Sequence, residues 1–419
     1  MLETQSWLHL GKDMETEYLQ SLDEGRDVAQ YKEACAVEMD DAAARVLAAK
    51  MAAAPLVTGY PYAEPSDFAG IQSECAPIGA PHFEGSREEL ANRIKGAFAG
   101  RIAGCLLGKP VEGKKRTELR ELLSAQDNYP LRRYIDLSIA DGAAPVDDDT
   151  NYTVFYLRMA EKYGRNFLPM DCLEGWIDLI PGFDTCTAER VAYRNGMMGL
   201  LPPFTASFEN PFREWIGAEI RADLFGYINP GNPGAAAEMA WRDASISHVK
   251  NGIYGEMFSA ALIAAAATVS DMEELIVTAL SEVPKRSRLF ADVSAVLSWY
   301  REGKTAEAVI DGIHARYTDT LAHHWCHTNS NVMVVVYALL FGEGDLGKSI
   351  CLAVQDGFDT DCNGATVGSV VGMLKGLDAL PREWLTPYSL QVRTSISGDF
   401  LVTVDDFARR ALALIPAAL

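Results

Sequence analysis

The chain is short of positive charge. Its 419 residues carry 37 Lys and Arg against 58 Asp and Glu, a net charge of −21 and a pI near 4.8. A basic stripe, the feature that dominates nucleic-acid affinity, is not visible. An acidic surface also repels anionic membranes. A phosphorylated substrate is repelled too, unless bound cations reverse the sign locally. Long apolar runs are missing as well: the longest, Phe258 to Val269, is too short to span a bilayer. The opening MLETQSWLHLGKD has no basic segment followed by an apolar stretch, so no signal peptide is expected. Eight scattered cysteines form no CxxC pair and read as buried small hydrophobes in a reducing compartment. These absences point to a soluble cytoplasmic protein without nucleic-acid or membrane partners, its oligomeric state left open. Walker A, GxSxG and GxGxxG patterns are absent, which removes the commonest phosphate-loop, serine-hydrolase and dinucleotide readings.

What is present is helical patterning. Residues 1–50 are polar with helical spacing and end in an alanine-rich stretch. Residues 54–85 are rich in Pro, Gly and Ser without a period, as a linker or wrapping loop would be. The expected division is an N-terminal extension over 1–85 and a catalytic domain over 86–419. The domain opens on Ser86 and Glu89, a capping-box pattern. Helix-length apolar segments follow, and Val392–Ile396 is the best short strand candidate, so a single large all-α domain is predicted. Gly96, Gly100, Gly104 and Gly108 recur every four residues, as do Gly364, Gly368, Gly372 and Gly376. Such spacing puts each set near one helix face. Glycine costs a helix about 1 kcal/mol per position relative to Ala, so four in a row need a reason. Close approach of another helix supplies one. The two helices are expected at the centre of the domain, packed on each other.

Acidic clusters carry the chemistry. Asp147, Asp148 and Asp149 are adjacent and lead into a helix. The helix dipole rewards acid there by at most about 2 kcal/mol and does not need three residues. A hard divalent cation does need several oxygens. A solvated acidic turn is the plain alternative. Asp359 and Asp361 begin the second glycine helix between apolar segments, where carboxylates are costly unless a cation pairs with them. Gly357 and Gly364 are expected to permit the turn, and an N-cap role accounts for Asp361 but not Asp359. Glu112 lies just past the end of the first glycine helix, where the dipole disfavours acid. His323 and His327 have i, i+4 spacing that suits zinc, but HExxH is absent and no partner is evident. His327 and Asn331 are better read as lining the site. His248 is a lone histidine, a type more often structural than functional.

DDDT, then far downstream DTDCNGATVG, with an early GCLLGKPVEG, resembles the ADP-ribosylglycohydrolase family over roughly residues 90–378. The resemblance implies an all-α fold of the ADP-ribosylglycohydrolase type, with a cleft holding two divalent cations, Mg2+ or Mn2+. It implies metal ligands at Glu112, Asp147, Asp148, Asp149, Asp359, Asp361 and Cys362. His248 matches the family's cleft histidine, and Arg194-Asn195-Gly196 matches a Gly-Asn-Gly substrate loop without its first glycine. Asp147 and Cys362 stand where the family has threonines, and thiolate is a poor partner for magnesium.

The implied reaction is hydrolysis of a ribosyl glycosidic bond, most naturally of an ADP-ribosylated substrate. Glu112, Asp148 or Asp361 acts as base or acid, with Arg194 or Arg221 at the pyrophosphate. The competing expectations are hydrolysis of a smaller N-riboside and non-catalytic ADP-ribose binding.

Overall fold

The computed structural model describes residues 6–416. The described residues are predominantly helical, with one two-stranded sheet, as predicted. The helices that position the site are α1 (Met14–Asp23), α2 (Asp41–Ala52), α3 (Arg87–Gly108), α4 (Asp148–Tyr163), α5 (Thr187–Met197), α6 (Asn251–Ala266), α7 (Thr328–Gly342) and α8 (Thr360–Lys375). Among the described residues, no helix is long and apolar enough to cross a membrane.

The glycine helices α3 and α8 lie antiparallel and touch along their glycine faces. A methyl group at Gly96 would meet the Gly372 carbonyl oxygen at 2.5 Å, and one at Gly364 would meet that of Gly104 at 2.5 Å. Gly100 and Gly368 face each other closer still. Backbone contact therefore replaces side-chain packing, and the entropy cost of glycine is offset by the approach it permits. Helices α6 and α7 are buried on all sides among the described core, which explains why neither shows a polar face in sequence.

A two-stranded antiparallel ribbon, β1 (Gln391–Arg393) with β2 (Leu401–Thr403), realises the strand candidate, starting one residue earlier and ending three residues earlier. It has a positional task. Ala144 bridges to Val392, with Ala144 N–H donating to Gln391 O at 2.8 Å and Arg393 N–H to Ala144 O at 2.9 Å. This pins the segment that delivers Asp147 to the start of α4.

Residues 10–54 build a small apolar cluster of their own around Leu10, Met14, Tyr18, Val28, Cys35, Ala44 and Met51. The following stretch wraps the main body. It contains a short helix, Phe68–Glu74, capped by Asp67, which the lack of period did not suggest. Ile71 and Phe83 drop from it into the main core. Polar contacts dock α1. Arg213 binds Glu17 at 2.6 Å and Glu24 at 2.8 Å, Lys250 reaches Glu24 at 3.0 Å, and Gln20 reaches Glu214 at 2.6 Å.

Candidate metal and active site

Four chain segments meet at the site: the end of α3, the start of α4, the start of α8, and the residues capping α7. Asp147 is the N-cap of α4, its Oδ1 accepting from Asp149 N–H at 3.0 Å. At α8 the N-cap is Asp359, and Asp361 lies inside the first turn, the reverse of the capping expectation. Asp359 makes no side-chain cap bond, which leaves its carboxylate free to face inward. The preceding turn puts Gly357 at φ +87 and Phe358 at φ +60. Gly364, by contrast, serves the contact with Gly104 and not the turn.

The carboxylates sort into overlapping sets. Glu112, Asp359 and Asp361 bring ligand atoms within 4.8 Å of one another, and so do Asp149, Asp361 and Cys362. Asp361 belongs to both. A third set joins Cys105, Asp147 and Asp149. That third set already contains a cation, because Lys109 Nζ pairs with Asp147 Oδ2. Burial alone would lower the Lys109 pKa, but Asp147, with Cys105 and Asp361 near, raises it and keeps the amine protonated. With Oδ1 capping α4 and Oδ2 on Lys109, Asp147 has both oxygens engaged.

Crowding marks the remaining acids. Burial, then Glu112 and Asp359, pushes Asp361 well above the usual carboxylate range. Burial, then Asp147, does the same to Asp149. Glu112 is open to solvent on one side, yet partial burial of its carboxyl beside Asp359 and Asp147 lifts it to about 7. Asp149 Oδ2 and Asp359 Oδ1 are buried and accept no hydrogen bond. Like charges packed this way, with orphaned oxygens, fit bound divalent cations and are unfavourable without them.

Asp148 stands apart. It is half-buried and joins none of the three sets; Asp147, Asp149, Glu189 and Glu112 crowd it, and the Cys186 thiol lies near. Burial, then Asp147 and Asp149, raises its pKa.

The other expected residues divide by what holds them. Asn331 accepts from Asp359 N–H at 3.0 Å and from Asn363 Nδ2 at 2.9 Å while donating to Trp325 and His327 carbonyls. All its polar atoms are engaged, so it positions α8 instead of lining a free surface. His327 caps α7, its Nδ1 accepting from Asn329 N–H at 3.0 Å. His323 Nδ1 likewise accepts from Trp215 Nε1 at 3.1 Å. Both rings therefore carry their proton on Nε2, and both Nε2 atoms face Asp23 Oδ2 of α1, at 2.9 Å from His323 and 3.9 Å from His327. With Asp23 these two rings form a fourth cluster whose ligand atoms lie within 4.8 Å of one another; His323 Nε2 bonds Asp23, and His327 Nε2 is buried without a hydrogen-bond partner. Burial would raise Asp23, but the His323 hydrogen bond and neighbouring charges lower it overall. Burial, then His323, drops His327 to about 3.

Arg221 does not reach a substrate surface. It is fully buried, bonded to Asp243 at 2.6 Å, Glu189 at 2.9 Å and Ser247 at 3.1 Å, over the rings of Tyr152 and Trp176. Burial in a low-dielectric interior demanded acids for this cation and left it no donor to offer. Arg194 turns toward the extension, with Leu8 O at 3.4 Å and Glu209 at 3.8 Å. Asn195 is buried and ties α5 to the carbonyls of Thr205 and Phe208, at 2.9 and 2.8 Å. Gly196 packs against Leu173. His248 is buried with Nδ1 on Ser247 Oγ at 2.8 Å and Nε2 unpartnered, and burial, then Arg221, lowers its pKa far below the usual value.

Two residues escaped the sequence reading. Arg101, a lone arginine in a glycine and apolar run, is fully buried. It bonds Asp149 O at 2.8 Å and Asp223 at 2.7 Å, and so fixes the start of α4. Its signal was an unpaired charge in an apolar helix. Lys109 gave no signal of spacing at all.

A mainly helical body with carboxylates gathered at helix ends frames the site. The family model described as ADP-ribosylglycohydrolase matches residues 86–413, and the chain belongs to that family of glycohydrolases. A solved structure described as an ADP-ribosylglycohydrolase-related protein complex is 21% identical, with a TM-score of 0.53, covering 78% of this chain and 98% of that one; it shares the fold. No curated protein matches the chain.

Proposed function

We propose that the chain hydrolyses the glycosidic bond of an ADP-ribosylated substrate at a centre of two divalent cations. One outer cation is held by Glu112, Asp359 and Asp361, and one inner cation by Asp149, Asp361 and Cys362. The observation that carries this is the buried convergence of Asp149, Asp359 and Asp361 with two orphaned oxygens, inside a chain of this family.

Bound divalent cations orient ribose hydroxyls and lower the pKa of a water. The chain's own groups do the rest. Asp361 bridges both ligand sets and fixes their separation. Asn331 and Arg101 hold Asp359 and Asp149 through their backbones, so the oxygens need little reorganisation. Glu112 is the acid or base we assign. It is the solvent-facing carboxyl of the cluster, where a proton can be exchanged with water. As acid it gives its proton to the departing group, and as base it takes one from the attacking water, as a ribose cation-like state forms. Asp148 is placed to hold this end of the site with Cys186, as a positioning group. Asp147 is taken by Lys109.

Phosphate recognition falls to backbone N–H groups, because Arg221 and Arg194 are engaged elsewhere and His248 is buried. The test is a panel of ADP-ribosylated peptide, free ADP-ribose derivatives and nucleosides, each with and without EDTA. Metal-dependent release of ADP-ribose supports the reading. Turnover confined to nucleosides favours the smaller riboside, and undiminished turnover in EDTA contradicts the metal scheme.

A further inference from the structure

We propose that Cys362 Sγ is a metal ligand, so that the inner cation position selects a thiophilic divalent ion such as zinc, iron(II) or cobalt(II) over magnesium. This rests on the metal reading above. The two positions differ in donor chemistry. Glu112, Asp359 and Asp361 offer only oxygen, whereas Asp149 and Asp361 share their position with the Cys362 thiol, all ligand atoms within 4.8 Å. Asp149 Oδ2 is buried without a partner at that position. Cys362 itself is 7% exposed. Cys362 is a free, buried thiol, so its sulfur is available to a cation held by the neighbouring carboxylates. Soft thiolate selects zinc-like ions, and hard oxygen sets select magnesium or manganese.

Two other cysteines near the cluster are less suited. Cys105 lies in the set where Lys109 already neutralises Asp147. Cys326 Sγ donates to Asp359 Oδ2 at 3.6 Å and belongs to none of the three sets. Binding breaks the Cys362 S–H bond and forms a sulfur–metal bond. The proton passes to water, and no electron changes hands.

Metal-free full chain is titrated with Co2+, following absorbance and bound metal together, for wild type, Cys362→Ser and Cys326→Ser. Wild type should show a sulfur-to-cobalt charge-transfer band that saturates with the inner position. Cys362→Ser should bind cobalt without the band and lose zinc affinity by about tenfold or more, with magnesium affinity kept. Cys326→Ser should keep the band. Cobalt bound by wild type without the band overturns the sulfur ligand and leaves the metal centre standing. A band that survives Cys362→Ser also overturns it. Failure of wild type to bind any cobalt, zinc or magnesium removes the metal reading itself.

Discussion

Asp361 is the carboxylate shared by both ligand sets, and its neutralisation separates two consequences. Asp361→Asn is expected to abolish metal binding and turnover, read by titration calorimetry and ADP-ribose release. In EDTA the same variant should melt no lower than wild type, because it relieves repulsion among buried acids. Arg101 behaves oppositely. Arg101→Met strands Asp149 and Asp223 in the interior and should cost about 3–5 kcal/mol in denaturant titration, metal present or not. At this scale the acids were legible in the sequence because several carboxylates amid apolar residues have few structural uses. Their division of labour was not legible. Asp147, Asp148 and Asp149 are adjacent in sequence, yet one caps α4 and pairs with Lys109, one leans toward Cys186, and one enters the inner set. Helix geometry rotates successive side chains by a large angle, so neighbours in sequence face different partners. Arg194 and Arg221 illustrate the limit of a positive charge as evidence for phosphate: Arg221 is consumed by Asp243 and Glu189, and Arg194 by Asn195 and backbone carbonyls.

The glycine faces of α3 and α8 hold the ligand-bearing ends in register. Thr360 Oγ donates to Gly108 O at 3.0 Å, so the end of α3 and the start of α8 are joined beside Glu112 and Asp361. Gly100→Ala or Gly368→Ala should destabilise by about 1–3 kcal/mol or more and weaken metal binding in parallel, since separating the helices moves Glu112 away from Asp361. Loss of stability without loss of metal affinity would show that the stripe serves packing alone. This pairing was readable from a four-residue period because backbone contact leaves a compositional trace. The task of β1 was not, since it depends on a bridge to Ala144 almost 250 residues earlier.

Across the whole molecule, the extension over residues 6–85 docks on the main body through buried acids and histidines. Glu24 is lowered to about 2, since Arg213 and Lys250 outweigh the opposing effect of burial. A carboxyl depressed in the fold stabilises above its unfolded pKa and loses that contribution as pH falls through the folded value. His327, at about 3, is held neutral by burial, so protonation below its ordinary value near 6.5 also opposes the fold. Both signs agree: stability should decline as pH drops from about 6.5 toward 3, with hydrogen exchange rising first in α1. Asp23→Asn should weaken this docking while sparing the α3–α8 contact. The extension's helices were visible in sequence, but its seat was not, because Asp23 meets histidines about 300 residues away.

Whether side chains from α4, α8 and the end of α3 share divalent cations is decided by anomalous diffraction from crystals soaked in Mn2+. A peak bonded to Glu112, Asp359 and Asp361 is expected; Mn2+ bound only elsewhere, with these carboxylates bare, would refute a shared metal centre.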